Sequence, residues 1–308
     1  MTEFVTLSWS ALVSHARDLL IPALIFAAIA LVARGAAALR TARAAAPEVR
    51  TNLILFAFDV VAVTPLLAMA LAASGALIQS AGLRLISAEQ WAALPAWAIV
   101  FIALFAGDFI AYWRHRLEHT ALLWPAHAIH HSDEAMTWTT GLRFHPFNRV
   151  TTALIDTTFL ALLGLPLWAL IANNLVRHYY GLFIHMDLPW TYGPLGRVFV
   201  SPAMHRWHHI RDADGAGANF ATVFSVFDQA FGTHYVPGPC DVPLGVRDEI
   251  GRGAVGQLLW PFKVIWRYLY RHPGARAARA RDPGANVTSV ALGSGFDLRS
   301  PRKDGVER

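Results

Sequence analysis

The stretch GDFIAYWRHRLEH, residues 107–119, ends a long apolar run with two histidines four positions apart. The run from Trp91 to Tyr112 approaches the roughly 20 apolar residues that a membrane-spanning helix needs. Residues four apart share a helix face, so His115 and His119 point to the same place. Asp108, seven positions before His115, shares that face and is a candidate catalytic carboxylate that orients a metal-bound imidazole. The stretch predicts a spanning helix whose end carries metal ligands.

The composition indicates a membrane protein. Of 308 residues, 55% are hydrophobic and only 15% are charged, and the mean hydropathy is positive. The formal charge of +5 suits a surface of anionic lipid. The arginines cluster at the ends of apolar runs, with no basic face interleaved with aromatic residues, so we expect no nucleic acid partner. Cys240 is the single cysteine, which excludes an internal disulfide, an iron–sulfur cluster and a four-thiolate zinc site.

Three further apolar regions accompany this run. Leu19–Val32 and Asn52–Ala73 precede it, and Thr151–Asn173 follows it but is interrupted by Gly164 and Pro166. The interrupted region is typical of a hairpin that turns back within the bilayer. The sequence therefore predicts an all-α integral membrane protein with about four transmembrane or hairpin helices and a helical cap that carries the histidines.

Arginine placement predicts the orientation of this protein. Four arginines lie between the first two apolar runs, whereas the link at residues 74–90 carries only Arg84. The positive-inside rule then places the 34–50 loop in the cytoplasm, and counting spans places the end of the third run there too. We expect a multi-pass membrane protein whose active site faces the cytoplasm.

The chain divides by composition into three parts. Residues 1–90 form an N-terminal transmembrane region, and residues 91–272 form a catalytic domain with the histidines. Residues 273–308 are rich in Arg, Gly and Pro without apolar periodicity, so we expect them to be disordered.

Eight of the 14 histidines fall into three tight groups, and two of the groups repeat the pattern H-x-x-H-H. Positions three and four apart on a helix aim several imidazoles at one point, which is the spacing of metal ligands. One ion cannot accept eight nitrogens, so two ions are expected. His145 in LRFHP and His185 in LFIHMDLPW are candidate further ligands, and the role of His178 stays open. The grouped histidines are His115, His119, His127, His130, His131, His205, His208 and His209.

Five motifs together resemble the fatty acid hydroxylase/sterol desaturase superfamily. They are GDFIAYWRHRLEH, HAIHHSDEAMTWTTGLRFHP, LFIHMDLPW, MHRWHHIRD and FSVFDQAFGTHY, over roughly residues 95–237. The resemblance implies a membrane oxygenase with a histidine-rich di-iron centre on the cytoplasmic side that hydroxylates or desaturates a lipid. It also implies iron ligation by the eight grouped histidines, with His185 in addition.

The expected chemistry needs cofactors and partners. Imidazole suits iron, and two iron ions cycling between Fe2+ and Fe3+ would use dioxygen as co-substrate to attack a lipid C–H bond. The lipid requires an apolar tunnel beside the metals. The chain has no G-x-G-x-x-G after a strand and no cysteine cluster, so a separate electron-donor system, a reductase with a ferredoxin or cytochrome, is expected.

Two other classes of function use the same residues. A membrane zinc hydrolase would need a carboxylate that activates a nucleophile, and the sequence has no H-E-x-x-H. A membrane carrier of metal or haem would use two histidines per haem, which leaves most of the grouped histidines without a role. Metal analysis and an optical scan for haem separate the three.

Overall fold

The computed structural model describes residues 2–212, 215–251 and 253–270, and these residues are helical without a β-strand. Their only β-type pairs are two isolated bridges, Phe199 with Phe224 and Ile210 with Leu244. The all-α prediction is confirmed. The expected disordered segment at residues 273–308 lies outside the described residues. The helices are α1 Thr2–Arg34, α2 Ala36–Ala44, α3 Ala46–Phe58, α4 Thr64–Ser80, α5 Ala88–Ala92, α6 Ala96–Glu118, α7 Trp124–His131, α8 Pro146–Thr152, α9 Thr158–Leu162, α10 Leu167–Ile184, α11 Pro202–His208, α12 Val226–Ala230 and α13 Ala254–Tyr270.

Three helical stretches in the described part are long and apolar enough to cross a membrane: Leu12–Arg34, Ala46–Ser80 and Ala96–Glu118. The second joins α3 to α4 through a π-helical turn at Asp59–Val63. Large apolar side chains cover the outside of these stretches, as a lipid environment requires, since apolar side chains facing water would aggregate. Val32 is 89% exposed and Met69 is 71% exposed. The described part of the chain therefore has three candidate spans at the predicted regions, as expected of a membrane protein.

The fourth apolar region is broken where its glycine and proline predicted a break. Helix α9 ends before Gly164, which has φ +74° and approaches the loop before α5 so closely that a Cβ would lie 2.3 Å from the Ile86 carbonyl oxygen. Pro166 then precedes α10. Only glycine combines this positive φ with so close a contact. Helices α9 and α10 both pack against α6.

Helix α6 is the central element because it connects the spans to the histidines. Gly107 lets α10 approach it, since a Cβ there would lie 2.4 Å from the Asn173 side-chain oxygen. A buried apolar cluster forms where α6 and α10 meet α11 and the segment before α12, and it contains Tyr112, Ile184 and Met204. This cluster fixes the ends of α6, α10 and α11 beside one another, so their terminal histidines converge.

Candidate metal centre

Nine buried histidines converge at the ends of four helices. Helix α6 and its C-cap supply two, α7 supplies three, the C-cap of α10 supplies one, and α11 with its C-cap supplies three. Spacings of three and four residues place the histidines of each helix on one face, as the sequence predicted. The nine are His115, His119, His127, His130, His131, His185, His205, His208 and His209.

The nine histidines divide into two groups. Within each group, one ring nitrogen of every histidine lies within 4.8 Å of those of the other members. The five-histidine group contains His115, His119, His127, His131 and His208, and the four-histidine group contains His130, His185, His205 and His209. The groups adjoin, because the rings of His131 and His209 stack with centroids 4.3 Å apart. Two neighbouring ions, one per group, match this division.

The five-histidine group contains two imidazoles whose lone pairs face each other. His115 Nδ1 lies 2.8 Å from the Phe220 carbonyl oxygen, and His208 Nδ1 lies 2.7 Å from that of Ala218. A carbonyl oxygen only accepts, so both Nδ1 atoms carry the hydrogen and both Nε2 atoms are bare. These bare Nε2 atoms lie 3.0 Å apart. Two lone pairs at that distance repel unless a cation lies between them.

The four-histidine group repeats this arrangement. His130 Nδ1 lies 3.2 Å from the Arg143 carbonyl oxygen, and His185 Nδ1 lies 2.5 Å from that of Gly181. Their bare Nε2 atoms lie 3.2 Å apart. Two nitrogens that each lie about 2.1 Å from one ion and subtend a right angle are about 3.0 Å apart, so both pairs fit a shared metal ion.

Burial keeps these imidazoles neutral, which is the form that binds a metal. Desolvation lowers the pKa of His208 to about 4 and that of His185 to about 4. Desolvation, followed by the nearby imidazoles, also lowers the pKa of His209 well below its usual value. Neither ring nitrogen of His209 has a hydrogen-bond partner in the described part of the chain. Buried polar atoms in this state are costly, so ligation to metal accounts for them.

A backbone segment at residues 218–224, which we call the orienting segment, fixes two of the nine imidazole rings. Its carbonyl oxygens accept from His208 and His115. Asp228 accepts the N–H groups of residues 220 and 221 at 2.7 and 3.0 Å, and its side chain is buried. Asn219 holds the segment to the carbonyl oxygens of Met204 and Tyr235. Asp228 lies in the sequence motif FSVFDQAFGTHY. An acidic residue among apolar ones was the only feature there that could have pointed to its role.

The structure places Asp108 against this segment instead of against an imidazole. Its buried carboxylate accepts the N–H groups of Thr222, Val223 and Phe224 at 3.3, 3.0 and 2.7 Å. Arg177 Nε lies 3.8 Å from it. The shared helix face with His115 is real, but the backbone segment lies between Asp108 and the ligands. Asp108 therefore orients imidazoles through the backbone and touches none directly.

The structure does not bring His145 or His178 to either group. His145 caps α8, where its Nδ1 accepts the Phe147 N–H at 3.2 Å and its Nε2 lies 3.1 Å from the Leu258 carbonyl oxygen. Both ring nitrogens of His145 are thus hydrogen-bonded to backbone atoms, and the side chain does not reach either histidine group. His178 lies on the exposed face of α10 beside Tyr179.

Glu118 is a neighbour of the ligands that sequence spacing did not assign. Its buried carboxylate lies 3.5 Å from His127 Nδ1 and 2.7 Å from Arg114 Nη1, and it also accepts from Thr151. Asn148 contacts the same His127 nitrogen at 3.1 Å. A carboxylate beside a metal-bound imidazole fixes the ring and raises its basicity.

Asp133 and Arg143 connect the histidine-bearing part of the chain to the second spanning stretch. Asp133 accepts from Asn52 at 2.9 Å and from Thr140 at 2.7 Å. Arg143 donates to Glu48 at 2.5 Å and to Asn52 at 3.1 Å. These buried contacts hold the start of α3 against the segment whose carbonyl orients His130.

Residues 100–233 match the fatty acid hydroxylase family. The chain is 32% identical over 176 residues to the ornithine lipid hydroxylase OlsE of Rhizobium tropici, covering 56% of this chain and 52% of that protein. It is 32% identical over 176 residues to an alkylglycerol monooxygenase of Caenorhabditis elegans, covering 56% of this chain and 34% of that protein. An alkylglycerol monooxygenase of Danio rerio is 28% identical over 226 residues, with shares of 71% and 48%. The chain thus spans about half the length, or less, of these relatives. No solved structure gives a significant match.

Proposed function

Because residues 100–233 belong to the fatty acid hydroxylase superfamily, we propose that this chain is a dioxygen-dependent di-iron enzyme that hydroxylates a membrane lipid. The observation that carries the proposal is the pair of facing, bare imidazole nitrogens in each of two adjoining histidine groups. Nine converging imidazoles exceed the roughly four ligands of a single zinc ion and the two axial ligands of a haem, whereas they suffice for two ions with about four ligands each.

The two groups would hold one iron ion each. Iron bound there supplies the reduction of dioxygen and the attack on an unactivated C–H bond. The protein residues do the rest: the carbonyl oxygens of the orienting segment and of Gly181 and Arg143 fix the ring tautomers. Burial of all nine rings excludes water from the reacting atoms.

Hydroxylation is the favoured outcome over desaturation. The relatives described above carry the names hydroxylase and monooxygenase. Lipid is the favoured substrate because the histidines lie at the end of an apolar stretch long enough to cross a bilayer, Ala96–Glu118. A lipid held between such helices presents its C–H bonds to the centre without leaving the membrane.

The metal centre is proposed to face the cytoplasm. The positive-inside rule assigns the arginine-rich 34–50 loop to that side. Two contacts tie this loop to the metal-binding part: Arg34 donates to the Asp187 carbonyl oxygen at 3.0 Å, two residues after His185, and Glu48 accepts from Arg143. The loop and the centre therefore lie at the same end of the spans. A cytoplasmic reductase with a ferredoxin or cytochrome is the proposed electron donor.

Isotope labelling tests this function. The full chain in lipid membranes, supplied with iron, a reductase and a small electron carrier, is incubated under dioxygen made of heavy oxygen. We expect lipid alcohols that carry one heavy oxygen atom per molecule by mass spectrometry. Lipid products that take their oxygen from water indicate a hydrolase and contradict the proposal, as do alkenes without an alcohol.

A further inference from the structure

A cavity of about 700 Å³ lies outside the two histidine groups, between α1, α2, α3 and residues 137–139 and 186–187. Its walls include Phe26, Leu53 and Ile54. Alanines from all three helices leave the cavity open because their side chains are small. They are Ala27, Ala30, Ala38, Ala42 and Ala46. A volume in this range accepts a ligand of several hundred daltons, and walls of this kind select an apolar chain.

The cavity has arginines at one end of the candidate spans and apolar walls further into them. Arg34 ends the candidate span Leu12–Arg34, and Arg50 lies near the start of the candidate span Ala46–Ser80. Both arginines line the cavity at this end of the spans. Phe26 and Leu53 lie further into the same stretches. An amphiphile would therefore place its head at the arginines and its chain beside the apolar walls.

The charges at the arginine end of the cavity do not cancel. Arg34 and Arg206 share one carboxylate, that of Asp187, which lies 3.4 Å from Arg206. Arg50 has no ion-pair partner among the described residues, and nearby Glu48 is paired with Arg143. The excess of cationic groups over carboxylates selects an anionic head, because guanidinium groups match phosphate and carboxylate oxygens.

One wall of the cavity adjoins the four-histidine group. Thr139 and Trp138 line the cavity and belong to the short 3-10 helix Trp138–Leu142. On the same helix, a Cβ at Gly141 would lie 3.3 Å from His185 Nδ1. Met186, which also lines the cavity, directly follows His185. A single turn of backbone therefore separates the cavity from the metal ligands.

We propose that this cavity binds a lipid with an anionic phosphate or carboxylate head and an apolar chain, and that the head is held by Arg50 and Arg34. The proposal names the substrate class of the proposed hydroxylase and rests on that function only in calling the lipid a substrate. Binding itself requires no metal.

The test compares two lipids that differ only in the head. The full chain in uncharged detergent is mixed with radiolabelled oleoyl lysophosphatidate or with monooleoylglycerol, and binding is read by scintillation proximity. We expect lysophosphatidate to bind about tenfold more tightly, the difference that one charge-assisted contact gives. Inorganic phosphate should compete only weakly because it lacks the chain. Iron content is measured on the same samples.

Four variants locate the binding. Arg50→Gln should remove most of the preference for lysophosphatidate. Ala42→Trp should fill the cavity and weaken the binding of both lipids. The matched controls are Arg40→Gln and Ala44→Trp, at exposed residues of α2 that do not line the cavity. These controls should change neither the head preference nor the affinity for the two lipids.

Equal affinity for the two lipids, or an unchanged preference in Arg50→Gln, overturns the proposal. Displacement of lysophosphatidate by inorganic phosphate at equal concentration also overturns it, since the site would then recognise phosphate alone. If protein that contains iron shows no preference for lysophosphatidate, the lipid-binding proposal fails and the proposed di-iron function stands. Head preference in protein that binds no iron counts against the proposed function only.

Discussion

Five consecutive backbone N–H groups, those of residues 220–224, donate to two buried carboxylates. The carboxylates belong to Asp228 and Asp108, neither of which touches an imidazole. Within and beside this run, the carbonyl oxygens of Phe220 and Ala218 fix His115 and His208. These two acids therefore hold the backbone whose carbonyl oxygens contact the two rings, and we propose that they position the imidazoles of His115 and His208 in this way.

Replacing Asp228 with asparagine should destabilise the protein. Asp228 accepts from two backbone N–H groups and from the Thr233 hydroxyl. Both oxygens of a carboxyl keep a lone pair that can accept, whether or not the group is protonated, whereas the amide nitrogen of asparagine only donates and leaves one of these donors unpaired. Leaving one buried donor unpaired costs about 1–3 kcal/mol. We expect a lower melting temperature for Asp228→Asn in detergent. The exposed Asp241→Asn is the control and should melt like the wild type.

The cost of Asp228→Asn should depend on pH. Burial raises the pKa of Asp228 from 3.8 to about 7, so the folded chain holds a proton that the unfolded chain releases. This stabilisation is complete below about pH 4 and is lost as the pH rises through about 7. The variant has no such proton, while its histidines titrate like those of the wild type. The melting difference should therefore shrink between pH 5 and pH 8, and a constant difference would show that the carboxyl stays ionised.

Replacing His208 with alanine should abolish lipid oxidation and lower the iron content. Removal of a ligand leaves His115 Nε2 without the partner that completes the pair. Loss of an outer partner of a ligand already costs about 10–100-fold in metal affinity or activity, so loss of a ligand should cost more. His178→Ala, on the exposed face of α10, is the control. Iron and turnover at wild-type levels in His208→Ala would show that the histidine groups are structural.

Sequence spacing predicted eight of the nine histidines that converge, but not the contacts that hold them in place. The pattern H-x-x-H-H specifies one helix face, so periodicity alone brings His127, His130 and His131 together. Asp108 had no such guide, because its hydrogen-bond partner Thr222 lies 114 residues away in irregular backbone. His145 has a neighbouring backbone N–H to accept, and this local contact determines its place. Contacts between distant segments without periodicity leave no pattern in one sequence.

Among the helices, four have ends that bring the nine histidines together. The ends of α6, α10 and α11 meet because an apolar cluster packs them together and because Gly107 brings α6 close to α10. The apolar runs predicted these helices, and Gly164 with Pro166 predicted the break before α10. The π-helical turns at Asp59–Val63 and Ala153–Thr157 were not predicted, since each differs from an α-helix by one local insertion.

The second spanning stretch allows a test of orientation. Ala44, before α3, and Ala81, after α4, are exposed at its opposite ends. In a Cys240→Ser background, Ala44→Cys should react with an impermeant thiol reagent only after the cytoplasmic side is opened. Ala81→Cys should react in intact cells, since a span separates the two positions. The reverse pattern would place the metal centre outside.

The proposed activity of the whole molecule depends on an external source of electrons. The proposed oxygenation would need two electrons per turnover, and the sequence offers no nicotinamide or iron–sulfur motif to supply them. Iron-loaded protein given NADPH and lipid should stay inactive until a reductase and a small carrier are added, as followed by oxygen consumption. Turnover with NADPH alone would reveal a redox cofactor bound by the chain itself.

The metal content of the purified full chain tests the proposed di-iron centre. Two adjoining groups of five and four imidazoles should hold about two iron ions per chain, measured by elemental analysis together with Mössbauer spectroscopy for a coupled pair. An optical scan of the same sample should show no haem band. Zinc in place of iron, a single ion per chain or a haem spectrum would contradict the account.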